Sequence, residues 1–448
     1  MDCNKHKTVE CLIPHPLSNT VDENRTRSDI IDPAMVRAGW SVGEGPNFSA
    51  QEEYVIDLPN GKHQYVDYCL VRNGKVLAVV EAKKTIRGAE QGREQARQYA
   101  HNVKAHCQPD EPMPFIFYTN GLELYFWDEE GGYPSRKIKS GNYPTPDDLQ
   151  YMMWKRENQG SMVDTEVNAD IAGRYYQTAA IRATTERFEQ SKQREALLVM
   201  ATGTGKTRTS AALVEVMQKS GWAKRVLFLV DRRALRDQAL SAFKEHLSEP
   251  STYPKPGDSR FPLDRRIYVQ TYHTMLGVIQ KQEDYVSPFF FDLIIADEAH
   301  RSLFNTFKEI IDYFDCLKVG LTATPKDKVH ASSYDLFNCP NGIPTYEYSF
   351  EEAVDRGFLC DYEVLKVRTG IQLEGLRGEE LSEEEREKLF MQGIDPDEID
   401  YEGTDLEKHF TNKDTNRKIL MELMDRGKMD ESGTTPGKTI VFCASQPH

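Results

Sequence analysis

Residues 195–219 leave few folds open to this chain. An apolar run, Ala196-Leu197-Leu198-Val199-Met200, has the length and flanks of a buried strand, and the residues after Thr207 place Ala211, Leu213, Val214 and Met217 at helical spacing. Between them lies Ala201-Thr202-Gly203-Thr204-Gly205-Lys206-Thr207, so the order is strand, glycine loop, helix. Glycines at 203 and 205 let the backbone turn its N–H groups inward around a phosphate chain, and the helix N-terminus adds the positive end of its dipole. Lys206 would reach the β and γ phosphates and the Thr207 hydroxyl would ligate Mg²⁺. Position 200 is Met where the longer G-x-x-x-x-G-K-[ST] pattern has its first glycine.

Further strands recur with helices between them: Val226-Leu227-Phe228-Leu229-Val230, Ile267-Tyr268-Val269, Leu293-Ile294-Ile295-Ala296 and Val319-Gly320-Leu321. Such alternation predicts a parallel sheet wrapped by helices. One strand runs into Asp297-Glu298-Ala299-His300. A carboxylate at the carboxyl edge of a parallel sheet can hold Mg²⁺ beside a nucleotide, and the next one, Glu298, can polarise the attacking water. The following strand ends in Thr322-Ala323-Thr324-Pro325, whose hydroxyls can sense the nucleotide. Ahead of the loop, Gln177 could pair bidentately with an adenine edge.

The first third reads differently. A helix is expected from Asp29 toward Trp40, then strands joined by turns at Pro59-Asn60-Gly61 and Asn73-Gly74. Asp67 lies in one strand, and Glu81-Ala82-Lys83 follows the next apolar run. Asp67 and Glu81 offer hard oxygen ligands to Mg²⁺, and the single residue between Glu81 and Lys83 puts both side chains on one face. Lys83 can then orient or deprotonate a water and steady phosphate charge. In the helix predicted over residues 88–101, Gln95 and Tyr99 are one turn apart and could face the same site. Two more strands, Pro114 to Thr119 and Leu122 to Trp127, precede a Gly- and Pro-rich loop and a helix near residues 146–157.

A length of 448 residues allows about two to three domains. The net charge of −15 argues against a generic nucleic-acid binder, though a motor can hold DNA through local basic grooves. Much of the acid lies in residues 374–407, a composition suited to a mobile connector, while Arg232, Arg233, Arg236, Arg265 and Arg266 cluster near the phosphate loop. No apolar run suits a membrane span and no signal peptide begins the chain, so no membrane is expected and the cytoplasm is the default address. Eight Cys, scattered without metal-ligand spacing, read as reduced thiols.

The ordered set Gln177, Gly203 to Thr207, Asp297 to His300 and Thr322 to Pro325 resembles the superfamily 2 helicases and translocases. The resemblance implies ATP and Mg²⁺ as cofactors, a nucleotide site of Gln177, Thr202, Gly203, Thr204, Gly205, Lys206 and Thr207, with Asp297 on the metal and His300, Thr322 and Thr324 in coupling. It also implies that Asp231-Arg232-Arg233 and Thr271-Tyr272-His273 touch the DNA backbone, and that Lys438 to Cys443 opens a second lobe. With Thr26-Arg27, Ile31-Asp32-Pro33, Gly39-Trp40, Asp67, Val80 to Lys83, Gln95 to Tyr99 and Phe117 to Gly121, the layout is similar to the restriction (R) subunit of type I restriction-modification enzymes.

The expected architecture is therefore α/β. Residues 1–157 form a PD-(D/E)xK nuclease domain, a mixed sheet flanked by helices, with Asp67, Glu81 and Lys83 catalytic and Gln95 and Tyr99 auxiliary. Residues 158–170 are a linker, 171–365 a RecA-like parallel lobe, and 366–448 a connector with the start of a second lobe. Glu23 is a further candidate for the metal shell. The resemblance implies ATP-driven translocation on double-stranded DNA, cleavage away from the recognition site, and partnership with methyltransferase (M) and specificity (S) subunits. Family members continue through the second lobe, so the 448-residue chain is expected to bind nucleotide weakly and turn it over poorly. Type III restriction subunits carry their nuclease after the motor, which disfavours them. A DNA-binding module without chemistry would not need every polar residue of the cluster, and an ATP switch without DNA leaves the nuclease motif idle.

Overall fold

The computed structural model describes residues 23–85, 87–248, 251–252, 261–280, 286–298, 304–323, 331–364, 376–377, 400–401, 413–433 and 435–441. By its internal packing the chain divides into a unit of residues 1–360 and a unit of residues 361–448.

The first unit contains two seven-stranded sheets. In the first, β1 (Val42–Glu44), β2 (Ala50–Asp57), β3 (His63–Arg72), β4 (Lys75–Ala82), β5 (Phe115–Thr119), β6 (Leu124–Trp127) and β7 (Arg136–Ile138) lie side by side in chain order. The pairs β1/β2 and β4/β5 are parallel and the others antiparallel, giving a mixed sheet. Asn73 and Gly74, both at positive φ, make the two-residue turn that a tight β3–β4 hairpin requires.

Burial in this sheet is two-sided. On β4, Ala78, Val80 and Ala82 join one apolar cluster with Trp40, Tyr68 and Phe117, while Val79 joins the opposite cluster with Cys69, Tyr118 and the helix Arg93–Asn102. Period-two alternation then assigns Asp67, Glu81 and Lys83 to the face that carries this helix. The helix starts at Arg93, after a 3₁₀ turn Ala89–Gly92, later than the expected residue 88. The first helical stretch also begins early, at Glu23, and passes through a π-helical turn, Arg27–Ile31. The helix Pro146–Asn158 starts on a capping box between Thr145 and Asp148.

The second sheet is wholly parallel. Its strands are β8 (Glu195–Met200), β9 (Val226–Val230), β10 (Ser251–Thr252), β11 (Ile267–Thr271), β12 (Leu293–Ala296), β13 (Leu317–Thr322) and β14 (Tyr346–Tyr348), in the order β10-β11-β9-β12-β13-β8-β14. Alternate residues feed two cores: Ala196, Leu198 and Met200 one face, Leu197 and Val199 the other. This is the RecA-like arrangement of a parallel sheet covered on both sides. The short strands β7, β10 and β14 carry too few residues to show a period. Met162 and Val167, in the stretch expected to link the halves, are buried in the core of the second sheet.

The amino ends of the second sheet face the first. Arg136 of β7 reaches Asp315, just ahead of β13, with Nε 2.7 Å from Oδ1, and Arg194, just ahead of β8, meets the same carboxylate at 3.2 Å. Phe289, before β12, sits in the core of the first sheet with its ring 5.7 Å from that of Phe126. Tyr151 and Lys155 of the Pro146–Asn158 helix bond to Asp292. The phosphate loop lies at the opposite, carboxyl edge.

The second unit holds the helix Lys413–Arg426, a two-stranded pair Leu376–Arg377 with Asp400–Tyr401, and an isolated bridge between Met429 and Pro436. The strand expected from Lys438 to Cys443 is absent over residues 438–441, and the rest lies outside the described residues. No described neighbour pairs with these residues, and an extended segment without a partner strand forms no ladder. Among the described residues no helix is long and apolar enough to cross a membrane.

Candidate active sites

The β3–β4 hairpin brings Asp67 and Glu81 together. The Ala82 N–H donates to Asp67 Oδ2 at 2.6 Å, across the strand pair. Lys83 Nζ donates to Glu81 Oε1 and, at 2.9 Å, to Gln95 Oε1, and Gln95 Nε2 in turn donates to the Tyr99 hydroxyl at 2.5 Å. Strand and helix thus share one polar chain: Glu81, Lys83, Gln95, Tyr99. Glu81 is 1% exposed, and its Oε2 is buried without a hydrogen-bond partner. Burial, and then the charge of Asp67, push its carboxyl up to about 8 although Lys83 pulls the other way. Burial also raises Asp67, against the Ala82 N–H and the Arg27 charge.

Two crowded carboxylates, one with an orphaned buried oxygen, fit a hard divalent cation better than they fit each other. Among the described residues no group of three or more His, Cys, Asp or Glu is gathered closely enough to hold a metal ion. The fit therefore rests on this pair and on the open side of Glu81. The side chain of Glu23 lies outside the described residues.

Two residues of this site had no role in the sequence reading. A Cβ on Gly92 would lie 2.9 Å from Glu81 Cγ and 3.5 Å from Lys83 Cε, so the absent side chain lets the helix close onto the cluster. Arg27 sits 4.7 Å over the Tyr68 ring and donates to the Asp67 carbonyl at 3.1 Å. Local spacing contains no signal for either contact.

At the motor site the loop between β8 and the helix Lys206–Lys219 turns on Gly203 and Gly205, at φ +90° and +88°. Lys206 Nζ rests 3.4 Å from the Met200 carbonyl, and Thr207 lies in the first helical turn. Thr202 is exposed on the loop, and the Thr204 carbonyl accepts from Gln177 Nε2 at 3.1 Å and from the Tyr176 hydroxyl at 3.0 Å. Gln177 is 3% exposed and its Oε1 accepts from the Arg174 N–H at 3.3 Å, so its amide is committed to backbone on both sides.

Strand order sets the rest. Between β8 and β12 lies β13, so Thr322, 2% exposed at its end, stands between the phosphate loop and Asp297. Burial raises the Asp297 carboxyl, with the Lys206 charge opposing. Glu298 follows at φ +54°, a conformation few non-glycine residues adopt. Tyr272 is 4% exposed and its hydroxyl donates to the Asp297 carbonyl at 2.7 Å, so it supports the site from within instead of facing DNA. Arg232 and Arg233 are exposed; His300 and Thr324 lie outside the described residues.

Residues 22–135 match the family described as type I restriction enzyme R protein N terminus, and residues 170–327 match that described as type III restriction enzyme, res subunit. The chain is 31% identical over 459 residues to the EcoAI type I restriction enzyme endonuclease subunit of Escherichia coli, covering 95% of this chain and 53% of that one. Against the EcoKI endonuclease subunit of Escherichia coli (strain K12) it is 27% identical, over 99% of this chain and 44% of that one. It thus spans about half the length of these curated relatives. A solved fragment of a candidate HsdR subunit of a type I restriction enzyme from Vibrio vulnificus YJ016 is 26% identical over 76% of this chain and 62% of that chain, with a TM-score of 0.33. The mixed-sheet cluster of Asp67, Glu81 and Lys83, the RecA-like lobe behind it and these sequence matches in the same order place the chain in one family: it belongs to the R proteins of the type I restriction enzymes.

Proposed function

We propose that this chain is the cutting and translocating part of a type I restriction enzyme, moving on double-stranded DNA at the expense of ATP and hydrolysing phosphodiester bonds away from the recognition site. The observation that carries this reading is the meeting of Asp67, Glu81 and Lys83 in the same unit as a phosphate loop. Residues 1–157 are the nuclease, 158–170 the join, 171–365 the first motor lobe, and 366–448 the connector with the start of a second.

In the nuclease, Asp67 and Glu81 would hold Mg²⁺, which when bound supplies charge stabilisation to the scissile phosphate and lowers the pKa of water. Lys83, held between Glu81 and Gln95, points its ammonium at that place, where it orients the attacking water and balances charge on the phosphate. Gln95 and Tyr99 fix the lysine. In the motor, the loop of Thr202 to Gly205 surrounds the phosphates, Lys206 reaches the outer two, and Thr207 and Asp297 would hold a second Mg²⁺ site. Glu298 orients water, Gln177 tethers the loop next to the base, and His300, Thr322 and Thr324 couple the nucleotide to the DNA contacts. Methyltransferase and specificity subunits choose the site.

Paired titrations test the assignment. Glu81→Gln is expected to abolish divalent binding at the nuclease and leave nucleotide binding intact, and Lys206→Ala to do the reverse. A single variant that abolishes both would overturn the two-site reading.

A further inference from the structure

The β2–β3 register pairs Glu52 with Tyr68 and Tyr54 with Val66, which puts Glu53 directly opposite Asp67. Like charges facing each other across a strand pair repel, and Glu53 is also held at φ +47°. The group that makes this tolerable is Arg27. Its guanidinium lies 2.5 Å from Glu53 Oε1, 3.4 Å from Glu52 Oε1 and 3.9 Å from Asp67 Oδ1, while Nε donates to the Tyr68 hydroxyl at 3.2 Å. The side chain is only 11% exposed, and the Tyr68 hydroxyl is itself anchored on Asp32 at 2.6 Å. Arg27 is therefore locked in place, on the side of Asp67 away from Glu81.

That is where a second divalent cation would sit in a two-metal phosphodiesterase that shared Asp67 between its ions. Glu52, Glu53 and Asp67 are hard oxygen donors, and a fixed guanidinium satisfies the same charges without exchanging with solvent ions. We infer that Arg27 takes the place of a second metal ion, so that the Asp67–Glu81 site binds one divalent cation, and that removing Arg27 turns Glu52, Glu53 and Asp67 into a second site. This rests on the nuclease reading of Asp67 and Glu81.

The test counts ions by calorimetric titration of Mn²⁺ into the full chain carrying Asp297→Asn, which silences the motor carboxylate. One Mn²⁺ is expected with Arg27 present and two with Arg27→Met. Arg27→Gln, which retains a donor for the Asp67 carbonyl and guards against a folding defect, should also bind two. Adding Glu53→Gln to Arg27→Met should return the count to one. A count of two with Arg27 present, or of one in both folded Arg27 variants, overturns the inference and leaves the nuclease reading standing. A count of zero with Arg27 present that is matched by Asp67→Asn overturns the nuclease reading, and the inference with it.

Discussion

Arg136 and Asp315, 179 residues apart in sequence, meet where β7 of the first sheet abuts the amino end of β13 in the second. With Arg194 on the same carboxylate and Phe289 inserted into the core of the first sheet, this seam joins the two sheets through buried, directional contacts. The phosphate loop lies at the far end of β8, a six-residue strand that spans roughly 20 Å. The nuclease therefore docks on the edge of the motor sheet opposite the nucleotide.

Burial raises the Asp315 carboxyl, but the charges of Arg136 and Arg194 outweigh it and hold the group well below the usual carboxylate range. A depressed folded pKa means the stabilisation is present in full above the unfolded value of about 4 and is lost as pH falls through the folded one. Asp315→Ala should cost about 3–5 kcal/mol at neutral pH, because two buried guanidinium groups lose their partner. Asp315→Asn should flatten the acid limb of the stability curve. Urea unfolding followed at several pH values reads both.

Gly92→Ala is expected to suppress DNA cleavage while sparing ATP hydrolysis. The added Cβ would press on Glu81 Cγ at 2.9 Å, so the helix or the carboxylate must shift. The stability cost should be about 1–3 kcal/mol, that of overpacking a tight site. Parallel cleavage and ATPase assays separate local damage from general unfolding.

Gly205→Ala should weaken nucleotide binding by at least ~10-fold, the equivalent of about 1.4 kcal/mol. Its φ of +88° strains any L side chain, and the new Cβ would stand 2.6 Å from Gln177 Nε2. Divalent binding at the nuclease should not change. Calorimetry with ATP and with Mn²⁺ checks each half.

Saturating Mg²⁺ should stabilise the nuclease sheet, by about 2.7 kcal/mol at a hundred times the dissociation constant. Glu81→Gln, which removes the charge of the buried acid while keeping its shape, should lose this stabilisation. Hydrogen exchange of β3 and β4 amides with and without Mg²⁺ reports it locally.

Much of this was legible in the residues. Alternation around Asp67 and the Glu81-x-Lys83 spacing placed these side chains on one face, and the one-turn spacing of Gln95 and Tyr99 put them within reach of each other. Apolar strands spaced by helices announced the parallel sheet, and the glycines at 203 and 205 sit at the positive φ that loop demands. What could not be read locally were relations set by tertiary packing. Gly92 looks like any helix-preceding glycine until Glu81 is seen against it. Arg27 meets Glu53 only because a strand register brings Glu53 opposite Asp67. Tyr272, in a segment the resemblance assigned to DNA, turned inward because its ring fills the core under β12 and its hydroxyl found the Asp297 carbonyl.

The most direct measurement is cleavage of a long covalently closed DNA by the subunit assembled with methyltransferase and specificity partners, with and without ATP. Wild type should cut only with ATP. Asp67→Ala should hydrolyse ATP on DNA without cutting, and Lys206→Ala should do neither. Cutting by Asp67→Ala, or ATP-independent cutting by wild type, would contradict the account.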